Sequence, residues 1–405
     1  MRPSVLFVSK PIAPPFQDGT KCLVRDVALE LERVRPIVMS TRSAPALESA
    51  AGRSGRRAVD LARIYRAPGR YAPALSENLR AAAFLLTTAR ADLWHFVFAP
   101  NPRASRIARL ILAGRRVPSV QTVASPPKSF ERLDRILFGD VVVAQSRWTL
   151  DRIEQAWLDQ NGEKSNAPRT VLVPPPLGPL TRRSEDAVRA VRQSLVISET
   201  APIFVYPGDL ETSGGAEAVA AALPELVREL PDAVVVFAYR AKSPRAHEVA
   251  SSLGRRLDPR HARFAATLED VLPLIQTSSA VLFPVDDLWG KVDLPIVLLE
   301  AMALGVPIVT LDAGPLQELG GVLHVRPGDA AALVRSALDL VRDQGLRERV
   351  TSEQRAHVIS RNGAEVVARA YEKLYFELLE RSSRPAEGRW PPTSSRPAEG
   401  RRPPT

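Results

Sequence analysis

The stretch that decides the fold runs Asp293-Leu-Pro-Ile-Val-Leu-Leu-Glu-Ala-Met-Ala-Leu-Gly-Val-Pro-Ile-Val-Thr-Leu-Asp-Ala-Gly314. Its first half is an apolar segment of helical length, and we expect the helix to end at Gly305 and Pro307, because a glycine followed by a proline ends a helix. Residues 308–311 then form a short apolar run that predicts a buried strand. Helix, turn and strand in this order indicate one unit of an α/β sheet.

One carboxylate, that of Glu300, lies inside this apolar segment. A buried carboxylate without a partner is strongly unfavourable and tends to bind a proton instead. A polar ligand near the start of the helix is its simplest partner, so we interpret the stretch as part of a binding site. The alternative interpretation is a core helix in which Glu300 has only a structural role.

The chain has 405 residues, which is more than one hydrophobic core usually supports, so we expect two domains. Its 45% hydrophobic and 25% charged residues are those of an ordinary globular protein. The single cysteine, Cys22, excludes an internal disulfide and indicates a reducing compartment. No cluster of Cys and His in the sequence suggests zinc.

The net charge is +10, but residues 381–405 contain six Arg against two Glu and therefore carry +4 of it. The other Arg residues look scattered along the sequence, and no base-stacking motif accompanies them, so we expect no nucleic-acid partner. Weak attraction to anionic lipid or to phosphorylated substrates is the expected meaning of the charge. No apolar run is long enough for a signal peptide or a membrane span, so we expect a cytoplasmic protein. If it associates with a membrane, we expect it to bind peripherally to the inner face.

Short apolar runs alternate with helical segments in both halves, which is typical of parallel sheets built from βαβ units. The predicted strands are residues 5–9, 37–40, 93–98, 119–123 and 141–145 in the first half, and 203–206, 233–238, 281–283 and 308–311 in the second. The predicted helices are 25–33, 103–113, 216–230, 243–253, 268–278, 297–304, 330–342 and 362–380.

Composition places the domain boundary near residue 175, because 161–170 is polar and 171–178 is stiff and rich in proline. We therefore expect an N-terminal domain over 1–175 and a C-terminal domain over 176–362. A helix over 363–380 is long enough to cross back to the first domain. Residues 381–405 contain a duplicated 12-residue unit rich in Pro and Arg, and we expect this tail to be disordered.

The loops that follow the strands are where an open parallel sheet binds ligands. After the first strand, Gly19 and Thr20 stand where a helix begins and would offer backbone amides to an anion, although a plain turn into a helix explains them equally well. In the second half, Gly208 and Gly214 lie in the loop 206–216, which is a better candidate for a phosphate cradle. Because neither a P-loop lysine nor a G-x-G-x-x-G pattern is present, nucleoside triphosphates and nicotinamide cofactors are disfavoured.

Three cations stand near these loops and are candidates to bind a diphosphate: Arg240, Lys242 and Lys291. His95 is the one histidine that the pattern places near the boundary between the domains, and we interpret it as a satisfied core residue. The adjacent Asp286 and Asp287 are interpreted as a surface pair in a loop, not as metal ligands.

The motifs resemble the retaining glycosyltransferases of family 4 over residues 3–378. The strongest part is 294–309 with Gly314 and Glu318, and weaker parts are 207–210 with Gly214 and 325–329. The resemblance implies an α/β protein with two Rossmann-like domains facing each other across a cleft, the GT-B fold. It also implies transfer of a sugar, with retention of configuration, from a nucleotide-sugar donor to a glycan, lipid-linked or small-molecule acceptor, with neither cofactor nor metal, in a cell-surface or secondary-metabolite pathway.

Within the resemblance, Glu300 matches the glutamate that binds the ribose hydroxyls of the donor. The backbone of Leu294, Pro295 and Ile296 matches the turn that approaches the donor's sugar and phosphates, and Gly19 matches the glycine loop that faces the donor from the first domain. Glu318 lies beyond this turn and is expected to bind the donor too.

The sequence departs from the family at its charged positions. Val292 occupies the position of the first glutamate of the Glu-x7-Glu signature. Asp209 and Ser213 occupy the positions of the Arg and Lys that hold the diphosphate in the family. The histidine that the family has near 123–125 is missing. We therefore predict Asp293 and Lys291 as catalytic substitutes, with Arg240 and Lys242 adding charge at the diphosphate. The alternative is a member that binds a nucleotide sugar or glycan without transferring it. An epimerase of the same architecture would be expected to show paired acidic and histidine catalysts, which the sequence lacks.

Overall fold

The computed structural model describes residues 2–47, 59–67, 73–161, 167–241 and 243–383 of the chain. These residues form two parallel sheets with helices on their faces. The predicted disordered tail lies outside the described residues from 384 onward, as does Lys242. No helix within the described ranges is long and apolar enough to cross a bilayer.

The N-terminal sheet has seven strands in the order β3-β2-β1-β4-β5-β6-β7, all parallel. The strands are β1 (Ser4–Ser9), β2 (Arg35–Thr41), β3 (Asp60–Tyr65), β4 (Leu93–Phe98), β5 (Ser119–Val123), β6 (Val141–Ala144) and β7 (Arg169–Leu172). The helices between them are α1 (Gly19–Glu30), α2 (Leu75–Thr87), α3 (Pro102–Arg115) and α4 (Arg147–Asn161).

The C-terminal sheet has six parallel strands in the order β10-β9-β8-β11-β12-β13. The strands are β8 (Ile203–Tyr206), β9 (Val234–Tyr239), β10 (Ala262–Ala266), β11 (Ala280–Phe283), β12 (Ile308–Leu311) and β13 (Leu323–Val325). The helices are α5 (Glu185–Ser194), α6 (Gly215–Glu229), α7 (Pro244–Arg256), α8 (Leu272–Gln276), α9 (Ile296–Leu304), α10 (Ala330–Arg342), α11 (Gln344–Asn362) and α12 (Ala364–Ser383).

Both sheets reverse their strand order at one point, between β1 and β4 in the first and between β8 and β11 in the second. The central strands are buried on both faces by helices, which is why they read as continuous apolar runs in the sequence. Loops that leave the carboxyl ends of the strands at a reversal point spread apart and create a crevice. The two sheets are therefore the two Rossmann-like layers that the sequence predicted.

The prediction missed strands at the sheet edges, namely β3, β7, β10 and β13. Strand β7 is half-buried along its whole length, so it lacks the apolar signature, and the stretch 161–170 that looked like a polar linker contains its first residues. Helix α1 begins at Gly19, where the loop after the first strand was expected to enter a helix, and so starts six residues before the segment 25–33. Asp18 accepts hydrogen bonds from the amides of Thr20 and Lys21 and caps the helix.

The last helix, α12, returns to the N-terminal domain and packs against α1, as predicted. Its Tyr375 hydroxyl lies 2.7 Å from Nδ1 of His95, whose Nε2 lies 2.7 Å from the hydroxyl of Thr122. Burial lowers the pKa of His95 to about 3, so the ring is neutral. The interpretation of His95 as a satisfied core residue is confirmed.

The chain crosses between the domains twice, and the two crossings lie side by side. The amide of Leu177 donates to the carbonyl of Asn362 at 2.6 Å, and the amide of Ala364 donates to the carbonyl of Leu177 at 3.0 Å. Nδ2 of Asn362 donates to the carbonyl of Pro175 at 2.9 Å. These bonds tie the linker to the start of α12, so both crossings act as one connection.

Candidate active site

A cleft of about 1450 Å³ lies between the two domains. Its walls are the loop after β1 and helices α1 to α3 on one side, and the loops after β8, β9 and β11 with the first turns of α9 on the other. A cleft of this size accommodates a ligand larger than a single sugar. It lies where the strand orders reverse, as the topology predicts.

Helix α9 points its first turn at the cleft, since Pro295, Ile296 and Val297 all line it. No side chain caps this helix at its N-terminal end, and Gly305 ends it with a φ of 72°. The uncapped amides and the positive end of the helix dipole make this turn suited to an anionic group.

Glu300 lines the cleft one turn further along α9 and is half-buried. Among the described residues its carboxylate has neither a hydrogen-bond partner nor an ion-pair partner. Burial, with a smaller contribution from the Asp26 carboxylate, raises the pKa of Glu300 to about 7, and Arg25 opposes this shift. Because Glu300 is partly open to the cleft and its carboxylate is unsatisfied, it favours a ligand that donates hydrogen bonds, such as a pair of hydroxyl groups.

Lys291 and Asp209 form an ion pair on the same wall of the cleft, and both side chains are largely buried. Lys291 also donates to the carbonyl of Asp287 at 3.2 Å, while Asp209 accepts from the amides of Glu211 and Thr212. The carboxylate at position 209, where the family has a cation, is therefore neutralised by the lysine that the sequence proposed as its substitute. The pair adds little net charge to the cleft.

Arg240 lines the cleft opposite the loop after β1 and donates to the carbonyl of Gln17. The side chain of Gln17 donates in turn to the carbonyl of Leu268 at 2.9 Å. Lys10 pairs with Asp18 at 2.9 Å, and although burial alone would raise the pKa of Asp18, Lys10 and Arg240 lower it. This loop therefore bridges the domains at one edge of the cleft.

Gly19 and Val292 are in contact across the domain boundary. A Cβ atom added at Gly19 would lie 3.2 Å from Cγ1 of Val292, which is tighter than ordinary packing. Both residues line the cleft. The position where the family has its first signature glutamate is thus filled by an apolar side chain that closes against the first domain.

Asp293, predicted as catalytic, does not line the cleft. It is fully buried, and its Oδ2 accepts a hydrogen bond of 2.6 Å from the hydroxyl of Ser146, which caps α4 by accepting from the amide of Thr149. Burial raises the pKa of Asp293 to about 7, the hydroxyls of Ser146 and Thr149 oppose the shift, and the nearby Glu318 carboxylate adds to it. Asp293 joins the domains behind the cleft through this hydrogen bond to the residue that caps α4.

Glu318, predicted to bind the donor, also lies outside the cleft lining. Its two carboxylate oxygens accept from the amides of Arg147 and Trp148 at 2.9 and 2.8 Å, so both are used at the start of α4. Together with Asp293 it connects the second domain to the N-terminal end of a helix in the first. We call Asp293, Glu318 and Ser146 the domain joint.

The predicted anion sites at two other helix starts are occupied by the protein's own carboxylates. The amide of Gly214 donates to Asp286 at 2.9 Å, and that of Thr20 donates to Asp18 at 3.0 Å. Thr20 still lines the cleft, whereas Gly214 does not. Asp286 is used as a helix cap, and no group of three or more metal-ligating side chains occurs among the described residues.

The other predicted residues divide between the cleft and the core. Gly208 lines the cleft, and a Cβ atom there would lie 2.3 Å from the ring of Tyr206, so only glycine fits. Leu294 is 3% exposed and does not line the cleft, so only its backbone could approach a ligand. Lys242 is outside the described residues.

Sequence reasoning missed a charged cluster that faces Glu300 from α1 and the linker. Arg25 pairs with the buried Asp26 at 2.6 Å, and the other oxygen of Asp26 accepts from the amide of Gly178 at 3.1 Å. Arg183 pairs with Asp270 on the remaining side. These residues are far apart in sequence, and no local motif marks them.

Residues 201–343 match the sequence model of the family Glycosyl transferases group 1. The phosphatidyl-myo-inositol mannosyltransferase of Mycobacterium leprae (strain TN) is 33% identical over 119 residues, which cover 28% of this chain and 31% of that protein. The match therefore spans about a third of the curated relative's length.

Two solved structures are similar over almost the whole chain. Anabaena Alr3699/HepE in complex with UDP-glucose gives a TM-score of 0.70 at 16% identity, covering 93% of this chain and 100% of that one. Sucrose-phosphate synthase from Thermosynechococcus elongatus gives 0.68 at 18% identity, covering 94% and 100%. These likenesses show the two-domain GT-B fold for the chain, and the match to the glycosyl transferases group 1 model lies within its second domain.

Proposed function

We propose that the protein transfers a sugar from a nucleotide-sugar donor to an acceptor bound in the cleft. The observation that carries the proposal is Glu300, an unsatisfied carboxylate on the cleft wall of the domain that matches the glycosyltransferase family. In the resemblance drawn from the sequence, this glutamate binds the ribose hydroxyls. The structural neighbour with UDP-glucose bound supports a nucleotide sugar as the ligand class.

The donor's diphosphate would lie against the first turn of α9, where Ile296 and Val297 offer backbone amides beside the close approach at Gly208. Lys291 and Arg240 line the same cleft and are the cations placed to neutralise the leaving group. Because Asp209 already pairs with Lys291, the diphosphate competes with that carboxylate for the lysine. Helix-start amides therefore carry more of the anion binding here than in a site with free cations.

Transfer with retention of configuration, and without metal or cofactor, is the reaction that the resemblance implies for such a site. The acceptor enters from the N-terminal domain, whose helices α1 to α3 form the opposite wall. A glycan, a lipid-linked molecule and a small molecule are the acceptor classes that fit this fold. The relative from Mycobacterium leprae bears a name that points to a lipid, phosphatidyl-myo-inositol.

The test is a panel of UDP-, GDP- and ADP-sugars, screened first by thermal shift and then by release of the nucleoside diphosphate. We expect at least one of them to stabilise the intact chain and to be turned over. The variant Glu300→Gln loses most of the stabilisation, because a carboxylate that accepts from ribose hydroxyls is replaced by a weaker acceptor. The matched control is Glu372→Gln, a buried glutamate on α12 that accepts from the amide of Glu32 just after α1 and does not line the cleft.

The second candidate function is a protein that binds a nucleotide sugar without transferring it. Two observations favour it, namely the neutralisation of Lys291 by Asp209 and the placement of Asp293 outside the cleft. Stabilisation by a donor without any release of nucleoside diphosphate would establish this function. Failure of the whole panel to stabilise the protein would contradict both functions.

The variant Asp209→Asn tests the role of the ion pair. Removing the competing carboxylate frees Lys291, so the affinity for the best-binding nucleoside diphosphate should rise about three- to tenfold. The measurement is isothermal titration calorimetry on Asp209→Asn, Lys291→Met and the double variant. If Lys291 contacts the diphosphate, the gain from Asp209→Asn disappears in the double variant; a gain that persists would remove Lys291 from the donor site.

A further inference from the structure

Helices α2 and α3 expose a row of large aliphatic side chains to solvent. Their exposed fractions are 75% for Leu75, 63% for Leu79, 50% for Leu86, 51% for Ile107 and 67% for Leu110. The spacing of four and seven residues on α2, and of three on α3, puts each set on one side of its helix. We call these five side chains the α2–α3 face. Large aliphatic side chains exposed on two helices that pack together indicate an interaction site.

The segment that includes both helices has an excess of positive charge. Residues 75–117 contain seven Arg against Glu77 and Asp92, a net charge of +5. Five of these Arg residues lie on the two helices, namely Arg80 on α2 and Arg103, Arg106, Arg109 and Arg115 on α3. Arg103, Arg106 and Arg116 are exposed, and none has an ion-pair partner among the described residues.

An apolar groove connects this face with the cleft. Between α2 and α3 the cleft is lined by Ala81, Ala82, Leu85, Ile107, Ala108 and Ile111. Leu75 and Ile107 belong both to the groove and to the exposed face, so the groove opens among the aliphatic side chains. Its other end is the space beside Gly19 and Glu300, where the proposed donor binds.

We propose that the α2–α3 face docks on an anionic lipid bilayer and that the acceptor is a lipid whose apolar chain enters the groove; the second part rests on the proposed glycosyl transfer. Aliphatic side chains enter the boundary between headgroups and acyl chains, while the surrounding Arg residues attract anionic headgroups. The groove then opens at the bilayer, and the lipid headgroup reaches the donor without leaving the membrane.

A bilayer fits the face better than the two other occupants. A nucleic acid offers phosphates to the Arg residues but nothing apolar to five aliphatic side chains, and the exposed large side chains here include no aromatic residue for base stacking. A second copy of the chain would bring two segments of +5 together, which like-charge repulsion opposes.

The experiment is sedimentation of the full-length protein with phosphatidylcholine vesicles, with and without phosphatidylglycerol, at low and at physiological salt. We expect binding only with phosphatidylglycerol, weakening as salt screens the charges. Leu79→Ser combined with Leu110→Ser should weaken the partitioning about tenfold or more. Arg106→Gln combined with Arg116→Gln should weaken it about fivefold for each arginine.

Matched controls are available in the second domain. Ile359 is 68% exposed, close to the 67% of Leu110, so Ile359→Ser removes an equally exposed apolar side chain away from the face. Arg255→Gln removes an exposed arginine from α7. Both controls keep the basic tail of residues 381–405, so tail binding is the same in every variant. Equal vesicle binding by face variants and controls would overturn the docking surface, as would absence of binding by the unaltered protein.

The other occupants give distinct results. Binding to a DNA or RNA duplex that the Arg variants lose and the Leu variants keep would assign the face to nucleic acid. A dimer in light scattering that the Leu variants convert to monomer would assign it to a second copy. Either result, without vesicle binding, overturns the proposal.

The lipid acceptor is tested with radiolabelled nucleotide sugar and vesicles of total membrane lipid. Label should pass into the organic phase and fall with Leu79→Ser plus Leu110→Ser, while the thermal shift caused by the nucleotide sugar stays unchanged. Label found only in water-soluble product would overturn the lipid acceptor but leave glycosyl transfer intact. Loss of the thermal shift in the unaltered protein would instead contradict the proposed function.

Discussion

Glu300 and Asp293 lie seven residues apart in one apolar stretch, and burial raises the pKa of each to about 7. Glu300 is half-buried on the wall of the cleft, where no described residue satisfies its carboxylate. Asp293 is fully buried behind the cleft and accepts a short hydrogen bond from Ser146 of the other domain. One carboxylate is left for a ligand, and the other is used to join the domains.

The difference shows that a raised pKa alone does not mark a catalytic group. Perturbed carboxylates occur in binding sites and also where helices and domains are joined. What separates the two residues is their access to the cleft and the presence of a partner within the protein.

The largest effect is expected in the pH dependence of stability. Asp293 has a pKa of about 7 in the folded protein against 3.8 for a free aspartate, so between pH 4 and 7 the folded state holds a proton that the unfolded state has lost. The contribution of protonated Asp293 to the free energy of unfolding is therefore fully present below about pH 4 and is lost as the pH rises through 7. The loss from this one group is up to about 4 kcal/mol. Urea titrations from pH 4.5 to about 8.5 should show a shallower decline for Asp293→Asn.

Glu300→Gln should also make the decline of stability with pH shallower, but by less than Asp293→Asn does, because Glu300 is partly open to solvent in the cleft. An Asp293→Asn profile that falls as steeply as that of the unaltered protein would mean that Asp293 is ionised in the fold. It would then stand as a buried charge with a hydroxyl partner, contrary to the joint described here.

A smaller effect is expected at Glu318. Glu318→Ala leaves the amides of Arg147 and Trp148 without their acceptors and should cost about 1–2 kcal/mol, as the loss of a helix cap does. Glu318→Gln retains an acceptor and should lose less than half of that. Hydrogen exchange at these two amides should quicken in the Ala variant, and unchanged exchange would show that they have other partners.

The smallest effect is expected on the cleft side, at Gly19 and Val292. Gly19→Ala places a methyl group 3.2 Å from Val292, while alanine also favours the helix, so the single variant should change stability little. With Val292→Ala the clash is relieved, and a double-mutant cycle should give a coupling of about 1 kcal/mol.

Gly114→Ala is the control for this cycle, because nothing lies within 4 Å of the added atom and only helix preference changes. It should show no coupling to Val292→Ala. A coupling between Gly19 and Val292 near zero would mean that the domains do not close at this contact.

The sequence predicted the central strands to within a few residues, because they are buried on both faces and their apolar runs are unbroken. It predicted Glu300 for the same reason, as one charge in such a run. It did not predict the helices α2, α4, α5 and α11. It missed β3 and β7 because a half-exposed edge strand has no apolar signature.

Asp293 and Glu318 were predicted in the cleft because they flank the motif that forms it. Their partners lie 147 and about 170 residues away, at the start of α4, and no local pattern reports a contact of that range.

The most direct test of this account is the dissociation constant of the best-binding nucleotide sugar, measured by calorimetry for the unaltered protein, Glu300→Gln and Asp293→Asn. Glu300→Gln should weaken binding about 10- to 100-fold, the size of one or two hydrogen bonds to a charged group, and Asp293→Asn should change it by less than about threefold. Equal affinities for Glu300→Gln and the unaltered protein, or a larger loss for Asp293→Asn, would contradict this account.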